Sequence, residues 1–434
     1  MTDAAEARRL ASACLALGGY LTIGLIKASP YLPHGRMFAE EAAYFFPDIA
    51  HQGAAGLICL FNGRLEFWTN LLVWLATLAP LEAAAAVTTY GSLCLQAAPL
   101  LWVIATHRQL GIPAPLLVPI GLAMAGMPAA EEVWANTINL HFHAALLAAL
   151  ILATPLPQAR APRLCRLALL GAAGLAGITP NVLAAVAVLR ALIDPQRQRV
   201  AEAALLGATA LLQLALIRAS ADSVEARTLP EEVLPVIAIL ASRLLVAPVF
   251  QIDGGTALPD ALFAAAPPWL IVPVVFLAVA PLGAFALATA RWGDATQRVL
   301  VGTAMGLAVF CVAFSLEPKA LLVATRYGDR YFYGSVVLLM VALARIRKWP
   351  GRGIAWALLV AVAVQSAVSA PDSRFNGTPW QETVREIREG EDAIVPAWPH
   401  PWTLVVHPER RVVVPFATVP PRPACEGAFG PGLP

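Results

Sequence analysis

Charge is what this sequence has least of. Asp, Glu, Lys and Arg make up 13% of its 434 residues, against about a quarter in a soluble domain, which excludes a water-soluble globular fold. Lysine is nearly missing: Lys27, Lys319 and Lys348 are the only ones, so arginine carries almost all the positive charge. The six cysteines are scattered, with no CxxC and no Cys/His metal spacing, so no metal site of that kind is expected. A P-loop, a dinucleotide fingerprint, a local Ser-His-Asp signature and a zinc-protease motif are all lacking. So is any internal repeat. The formal net charge of +2 gives nucleic-acid binding no support. What the chain does have is a 59% apolar composition and a mean hydropathy of +0.68. Its apolar runs are about 14–25 residues long, rich in Ala and Leu, and lack the alternation of barrel strands. Backbone in hydrocarbon must satisfy its own hydrogen bonds, so the expected class is an all-α integral membrane protein.

Arg8 and Arg9 precede an apolar run from about Leu10 to Ile26. The run is longer than a signal-peptide core and lacks a clean small-x-small cleavage site, so a first transmembrane helix is favoured over a cleaved leader. The two arginines orient it with its N-terminus in the cytoplasm. Spans at roughly 8–28, 84–105, 113–128, 139–154, 165–179, 181–193, 200–218, 267–290, 297–316, 331–345 and 353–370 then put every short basic loop on the cytoplasmic side. Those loops are His107-Arg108, Arg160/Arg163/Arg166, Arg190/Arg197/Arg199, Arg291–Arg298 and Arg345/Arg347/Lys348. The expectation is about eleven crossings, a multi-pass plasma (inner) membrane protein with an extracytoplasmic C-terminus. Spans 113–128, 139–154 and 181–193 are shorter than the ~20 residues a bilayer needs.

Three stretches fall on the extracytoplasmic face. The first loop, 29–66, is followed by an amphipathic Phe67–Leu78 segment. The second is 219–266, whose Leu234–Phe250 piece is apolar but carries Arg243. Both apolar pieces read as interfacial or partly re-entrant helices. The third is the tail. Residues 1–370 are thus a transmembrane domain and 371–434 a small extracytoplasmic segment, with a short helix at Trp380–Gly390 and β segments at Ala393–Val395, Thr403–Val406 and Arg411–Val414. That tail has too little apolar content for its own core and is expected to rest on the membrane domain. Cys59 and Cys425 both face the oxidising side and could pair, which spacing alone does not decide.

Three constellations carry chemistry. In the first loop, Arg36, Glu40, Glu41 and Tyr44 lie close together. A positioned carboxylate can take a proton from an attacking hydroxyl. On a helix Glu40 and Glu41 would point about 100° apart, so only one faces a site, and Arg36 and Glu40 at i,i+4 could pair. A solvated acidic loop helix is the plainer alternative. In the second, Glu131-Glu132-Val-Trp134-Ala-Asn136-Thr-Ile-Asn139-Leu-His141-Phe-His143, Asn136, Asn139 and His143 would share one helical face. That face could bind sugar hydroxyls or phosphate, or serve as interhelical polar glue. His141 and His143 face differently, which argues against a helical metal site. The third runs from Glu317-Pro-Lys319 to Arg326-Tyr327-Gly-Asp329-Arg330-Tyr331-Phe332-Tyr333. Arg326 and Arg330 at i,i+4, with Arg243, could grip a phosphate. They could instead pair with Asp329 or Glu317. Thr179-Pro180-Asn181 reads as a structural break, and Asn376-Gly377-Thr378 matches a glycosylation sequon that occurs often by chance.

A first helix followed by a large extracytoplasmic loop with an acidic pair and a nearby aromatic, here Glu40-Glu41 and Tyr44, resembles the GT-C superfamily of membrane glycosyltransferases. The chain also resembles a bacterial subgroup of multi-pass proteins sharing this loop, an Asn-rich later loop and an Arg-Tyr-Phe segment, here Arg330-Tyr331-Phe332. The resemblance implies a GT-C-like bundle and a polyprenyl-phosphate sugar as donor. It also implies a first-loop acid, Glu40 or Glu41, as base, with transfer to a saccharide, lipid or protein acceptor. It fixes neither a cofactor nor a divalent-metal requirement. The rival expectation is a lipid-linked-saccharide flippase or small-solute transporter. Transporters keep charges buried midway through spans, whereas here charges sit at the ends and Gln96 and Gln213 are the most polar mid-span residues. Another membrane transferase or polymerase acting on envelope polysaccharide would use similar loop residues.

Overall fold

The computed structural model describes residues 3–127, 130, 132–220, 236–237, 239–240, 242–250, 268–314, 328–348, 351–368, 380, 384, 393–397, 403–407 and 412–414. Each predicted span is helical there. Helix α1 (Asp3–Ala28) leads into the first loop, which holds a π turn at Glu41–Phe45, α2 (Phe46–Gln52) and a two-stranded ribbon of β1 (Leu60–Phe61) and β2 (Arg64–Leu65). Then come α3 (Phe67–Thr77), α4 (Leu81–Gln96), α5 (Ala98–Leu110), α6 (Leu117–Gly126), α7 (Leu140–Ala153), α8 (Arg160–Gly174), α9 (Leu183–Ile193) and α10 (Arg197–Ala219). The last helices are α11 (Pro268–Trp292), α12 (Ala295–Phe314), α13 (Tyr333–Ala344) and α14 (Gly351–Val368). Among the described residues five helical runs, Glu6–Ala28, Leu81–Leu110, Arg197–Ala219, Ala295–Phe314 and Gly351–Val368, are long and apolar enough to cross a membrane. They turn apolar side chains outward, among them Leu10, Leu101, Leu211 and Val368. Outward leucines cost nothing in lipid and much in water, and the chain is an α-helical membrane protein.

Helix ends follow local chemistry. Pro80 precedes α4, and Pro99 sits in the first turn of α5, where its missing N–H is harmless. Gly111, left-handed at φ 74°, ends α5 and Pro113 prevents its continuation. Thr179, Pro180 and Asn181 form a one-turn helix at the α8–α9 break. Asn181 donates to Gly174 O and Gly177 O and accepts from the Thr209 hydroxyl, so this motif holds the break together.

Two of the shorter helices owe their length to their position. In α7 every residue but His141 is buried, and in α13 every residue but Leu343. An all-round apolar helix is enclosed by its neighbours, so these two form the centre of the bundle. Close crossings bring α6 against its partners. A Cβ on Gly121 would lie 2.7 Å from Ala16 O of α1, and one on Gly126 2.4 Å from Ser366 O of α14. Small residues at such crossings are the usual device of membrane bundles.

The basic loops are built rather than merely solvated. Arg166, fully buried, binds Glu202 at 2.5 and 3.4 Å and donates to Thr154 O, while Arg199 reaches the same carboxylate at 3.4 Å. Arg345 binds Asp294 at 2.5 Å and Gln297 at 2.9 Å.

The tail strands β3 (Ala393–Pro396), β4 (Thr403–His407) and β5 (Val412–Val414) form an antiparallel meander. Trp380 and Val384 are helical and buried, and they pack with Met37, Phe45, Phe46 and Ile49 of the first loop and Val73 and Ala76 of α3. Trp380 Nε1 donates to Leu81 O at 2.8 Å. Trp380, Val384 and Ala397 of the tail thus share a core with the first loop and α3. Cys59 is disulfide-bonded and Cys14, Cys94, Cys165 and Cys311 are free thiols. Cys425, the sequon at Asn376 and most of 219–266 lie outside the described residues.

Candidate functional site

Both mid-span glutamines hold backbone. Gln96 Nε2 donates to Val133 O at 2.7 Å, and its Oε1 accepts from Ala135 N at 3.0 Å. Gln213 Oε1 accepts from Leu65 N at 3.1 Å while its Nε2 donates to Leu65 O at 2.8 Å. Each glutamine acts as a surrogate strand for irregular chain drawn into the bundle, where backbone is tolerated only if protein satisfies it. The first loop and the 132–139 segment are thereby sunk between helices and brought together.

The expected Asn/His face is not formed. Residues 132–139 are turns, with Ala135 at φ 53°, and the helix begins only at Leu140. Asn136 donates to Glu132 O and Trp134 O and accepts from Asn139 N, and Asn139 Nδ2 also reaches Glu132 O. The asparagines stop the helix by offering the backbone other partners. His143 is fully buried, its ring 4.7 Å from that of Tyr333. Trp134 donates to Gly24 O and stacks edge-on with Tyr20, seating this turn on α1.

The acidic pair divides. Ala39, at φ 38°, and the π turn from Glu41 interrupt any regular helix from Arg36, so the i,i+4 pairing of Arg36 with Glu40 does not occur. Arg36 instead donates to Trp134 O at 3.2 Å, lies over the rings of Tyr31 and Phe38, and supports the Glu41 anion electrostatically. Glu41 is fully buried, and its Oε2 accepts from Thr137 N at 3.0 Å and from the Thr137 hydroxyl at 2.7 Å. Burial raises its pKa; Thr88, Thr137 and Arg36 oppose the shift. Tyr44 is buried against the ring of Phe61, 5.8 Å away.

Glu40 is partly exposed and faces a different set of charges. Its pKa is raised, first by desolvation and further by Glu66 and Glu132, while its own backbone amide and Arg330 act in the opposite sense. Arg330 pairs with Glu132 through Nη1, its backbone N–H lies 3.4 Å from the other Glu132 oxygen, and its guanidinium stacks over Tyr331. Glu66 is buried between Arg64 at 3.4 Å and His141 Nδ1 at 3.5 Å. Burial works against its anion, but His141 and Arg64 outweigh it and hold the carboxyl below the usual range. Gly177, at φ 132°, lets the chain pass beside this pair; a Cβ there would lie 3.2 Å from His141 Cβ.

Arg243 and Asp329 form a buried ion pair. Arg330 therefore pairs with Glu132 and not with its neighbour Asp329. Arg326, Tyr327, Glu317, Lys319 and Glu131 lie outside the described residues. The chain enters α13 through a left-handed Gly328 and a 3₁₀ turn at Asp329–Phe332. Sequence reading missed Glu66 and Arg64 as members of the cluster. They lie some two dozen residues beyond Glu40; Glu66 acts on Glu40 electrostatically, Arg64 pairs with Glu66, and Gln213 holds the intervening Leu65 in place. Among the described residues no group of three His, Cys, Asp or Glu could hold a metal. The chain matches no family model, no curated protein and no solved structure.

Proposed function

We propose that the chain is a membrane glycosyltransferase of GT-C type, with about eleven crossings and the Glu40 cluster on the extracytoplasmic face. It would move a sugar from a polyprenyl-phosphate donor to an extracytoplasmic saccharide, lipid or protein acceptor, with inversion. The observation that carries this reading is the division of labour between the two acids. Glu41 is fully buried and bound to Thr137, whereas Glu40 is reachable and poised beside Arg330, Glu66 and Glu132. A raised carboxyl pKa suits a general base, which must both be ionised and hold a proton.

In the proposed step the acceptor oxygen attacks the anomeric carbon as its proton passes to Glu40. The bond from that carbon to the phosphate oxygen breaks, and its electron pair leaves on the phosphate. Arg330, and Arg243 behind it, supply positive charge for that leaving group. A phosphate is already stable as an anion, so no general acid is needed. Arg36 and Tyr44 serve as supports of the loop, and Asn136, Asn139 and His143 as supports of the facing turn.

The test is transfer of labelled sugar from polyprenyl-phosphate hexose and pentose donors in membranes containing the protein. Glu40→Gln is expected to lower the rate by roughly 10²–10⁴, with Glu66→Gln affecting it less. Full activity in Glu40→Gln would remove Glu40 as base. A wild-type protein that moves such lipids across vesicles but transfers no sugar would favour the flippase reading.

A further inference from the structure

At the ends of α5 and α13 and the start of α14, arginines converge on a cavity of about 510 Å³. Its walls include Arg108, Arg347 and Arg352, with Ile112, Ile346 and Trp356, and among the described residues no carboxylate lines it. It lies far from Glu40. Gly35 of the first loop packs on Ala85 near the start of the Leu81–Leu110 run, and Arg108 stands at that run's other end.

Three observations separate this cavity from an ordinary basic loop. The nearby acid is already taken, since Asp294 binds Arg345, while Arg108, Arg347 and Arg352 have no ion-pair partner among the described residues. Trp356 Nε1 is buried without a hydrogen-bond partner, and Arg352 lies over the same indole at 4.8 Å. Gly111 provides room: a Cβ there would lie 3.3 Å from Arg347 Nη2 and 3.2 Å from Arg345 Nη1. Guanidinium and indole N–H groups donate and do not accept, so the complementary ligand is an anion made only of acceptors. The guanidinium fork fits phosphate in particular. Ile112, Ile346 and the indole give it an apolar wall.

We propose that this cavity binds a phosphate group, as carried by the headgroup of an anionic membrane lipid or as free phosphate. Basic pockets between membrane helices have the chemistry for anionic headgroups, and the volume fits a small polar ligand. The site is independent of the sugar-transfer reading.

The experiment uses the whole protein purified in a neutral detergent, with thermal unfolding followed against added ligand. Phosphatidylglycerol, phosphatidylcholine and inorganic phosphate are titrated separately. Phosphatidylglycerol is expected to raise the unfolding midpoint and phosphatidylcholine to leave it unchanged. A rise with inorganic phosphate at comparable concentration would identify free phosphate as the source, and a rise with the lipid alone the headgroup. Arg108→Gln/Arg347→Gln is expected to weaken binding by about tenfold or more, and Trp356→Phe by less, since one donor is lost and the apolar wall kept. Arg347→Lys, which keeps the charge and loses the fork, should fall between and covers the case of a poorly folding double variant. Equal stabilisation of wild type and variants, or no effect of either phosphate source, would overturn the proposal.

Discussion

Glu41 and Thr137 are joined twice, by the threonine amide at 3.0 Å and its hydroxyl at 2.7 Å, both to the same carboxylate oxygen. This pair staples the first loop to the turn that precedes α7. Its consequence is that the two adjacent glutamates do different things.

Glu41→Ala would leave two buried donors of Thr137 without an acceptor. Such groups cost about 1–3 kcal/mol each, so a clearly lower unfolding midpoint in detergent is expected. Glu41→Gln keeps a carbonyl acceptor and should be milder. A Glu41→Gln protein as stable as wild type yet without transfer activity would move the base from Glu40 to Glu41.

The Glu40 carboxyl is held above the ordinary glutamate value of about 4.3 by its surroundings. A base works only when ionised, so kcat/KM should rise with pH through a pKa higher than that value. Arg330 favours the anion, so Arg330→Gln should shift this limb to still higher pH while also lowering the rate. A limb at the ordinary position, unmoved in Arg330→Gln, would show that Glu40 is not the group observed.

Glu66 titrates in the other direction. Its folded pKa is depressed, so its contribution to stability is full above the unfolded pKa of about 4.3 and is lost as pH falls through the lower folded value. Unfolding midpoints from neutral pH downward should drop across that window in the wild type. Glu66→Gln should start lower and fall less steeply there. Parallel curves for the two proteins would contradict the sign.

Two basic-loop ion pairs should behave differently. Glu202 is buried with Arg166 and Arg199, and Glu202→Ala strands both guanidinium groups, a loss of about 3–5 kcal/mol. Asp294, 64% exposed, pairs with Arg345, and Asp294→Ala should cost only about 0–1 kcal/mol. Denaturation of the two variants side by side measures the contrast, and equal losses would show that burial does not set the strength of these pairs.

Much of the architecture was legible because hydrocarbon imposes a simple code. Long apolar runs without alternation must be helices, and each predicted stretch contains one. The tail strands were readable from β-branched residues between turn signals, with β3 to β5 falling where expected. The site was less legible. Helical spacing put Asn136, Asn139 and His143 on one face, but Ala135 and the asparagines' own backbone bonds end that pattern before Leu140. Spacing also suggested an Arg36–Glu40 pair, which the positive φ at Ala39 prevents.

The sequence by itself determined the membrane class, the helical segments and the presence of charge in the loops, because those follow from the free energy of each residue in hydrocarbon. Only the tertiary structure decided which glutamate is locked and which is reachable, and that Glu66, Arg64 and Arg330 join Glu40. Those outcomes depend on two glutamines, Gln96 and Gln213, that draw distant backbone into the bundle. A hydrogen bond across 148 positions leaves no local trace in the order of residues.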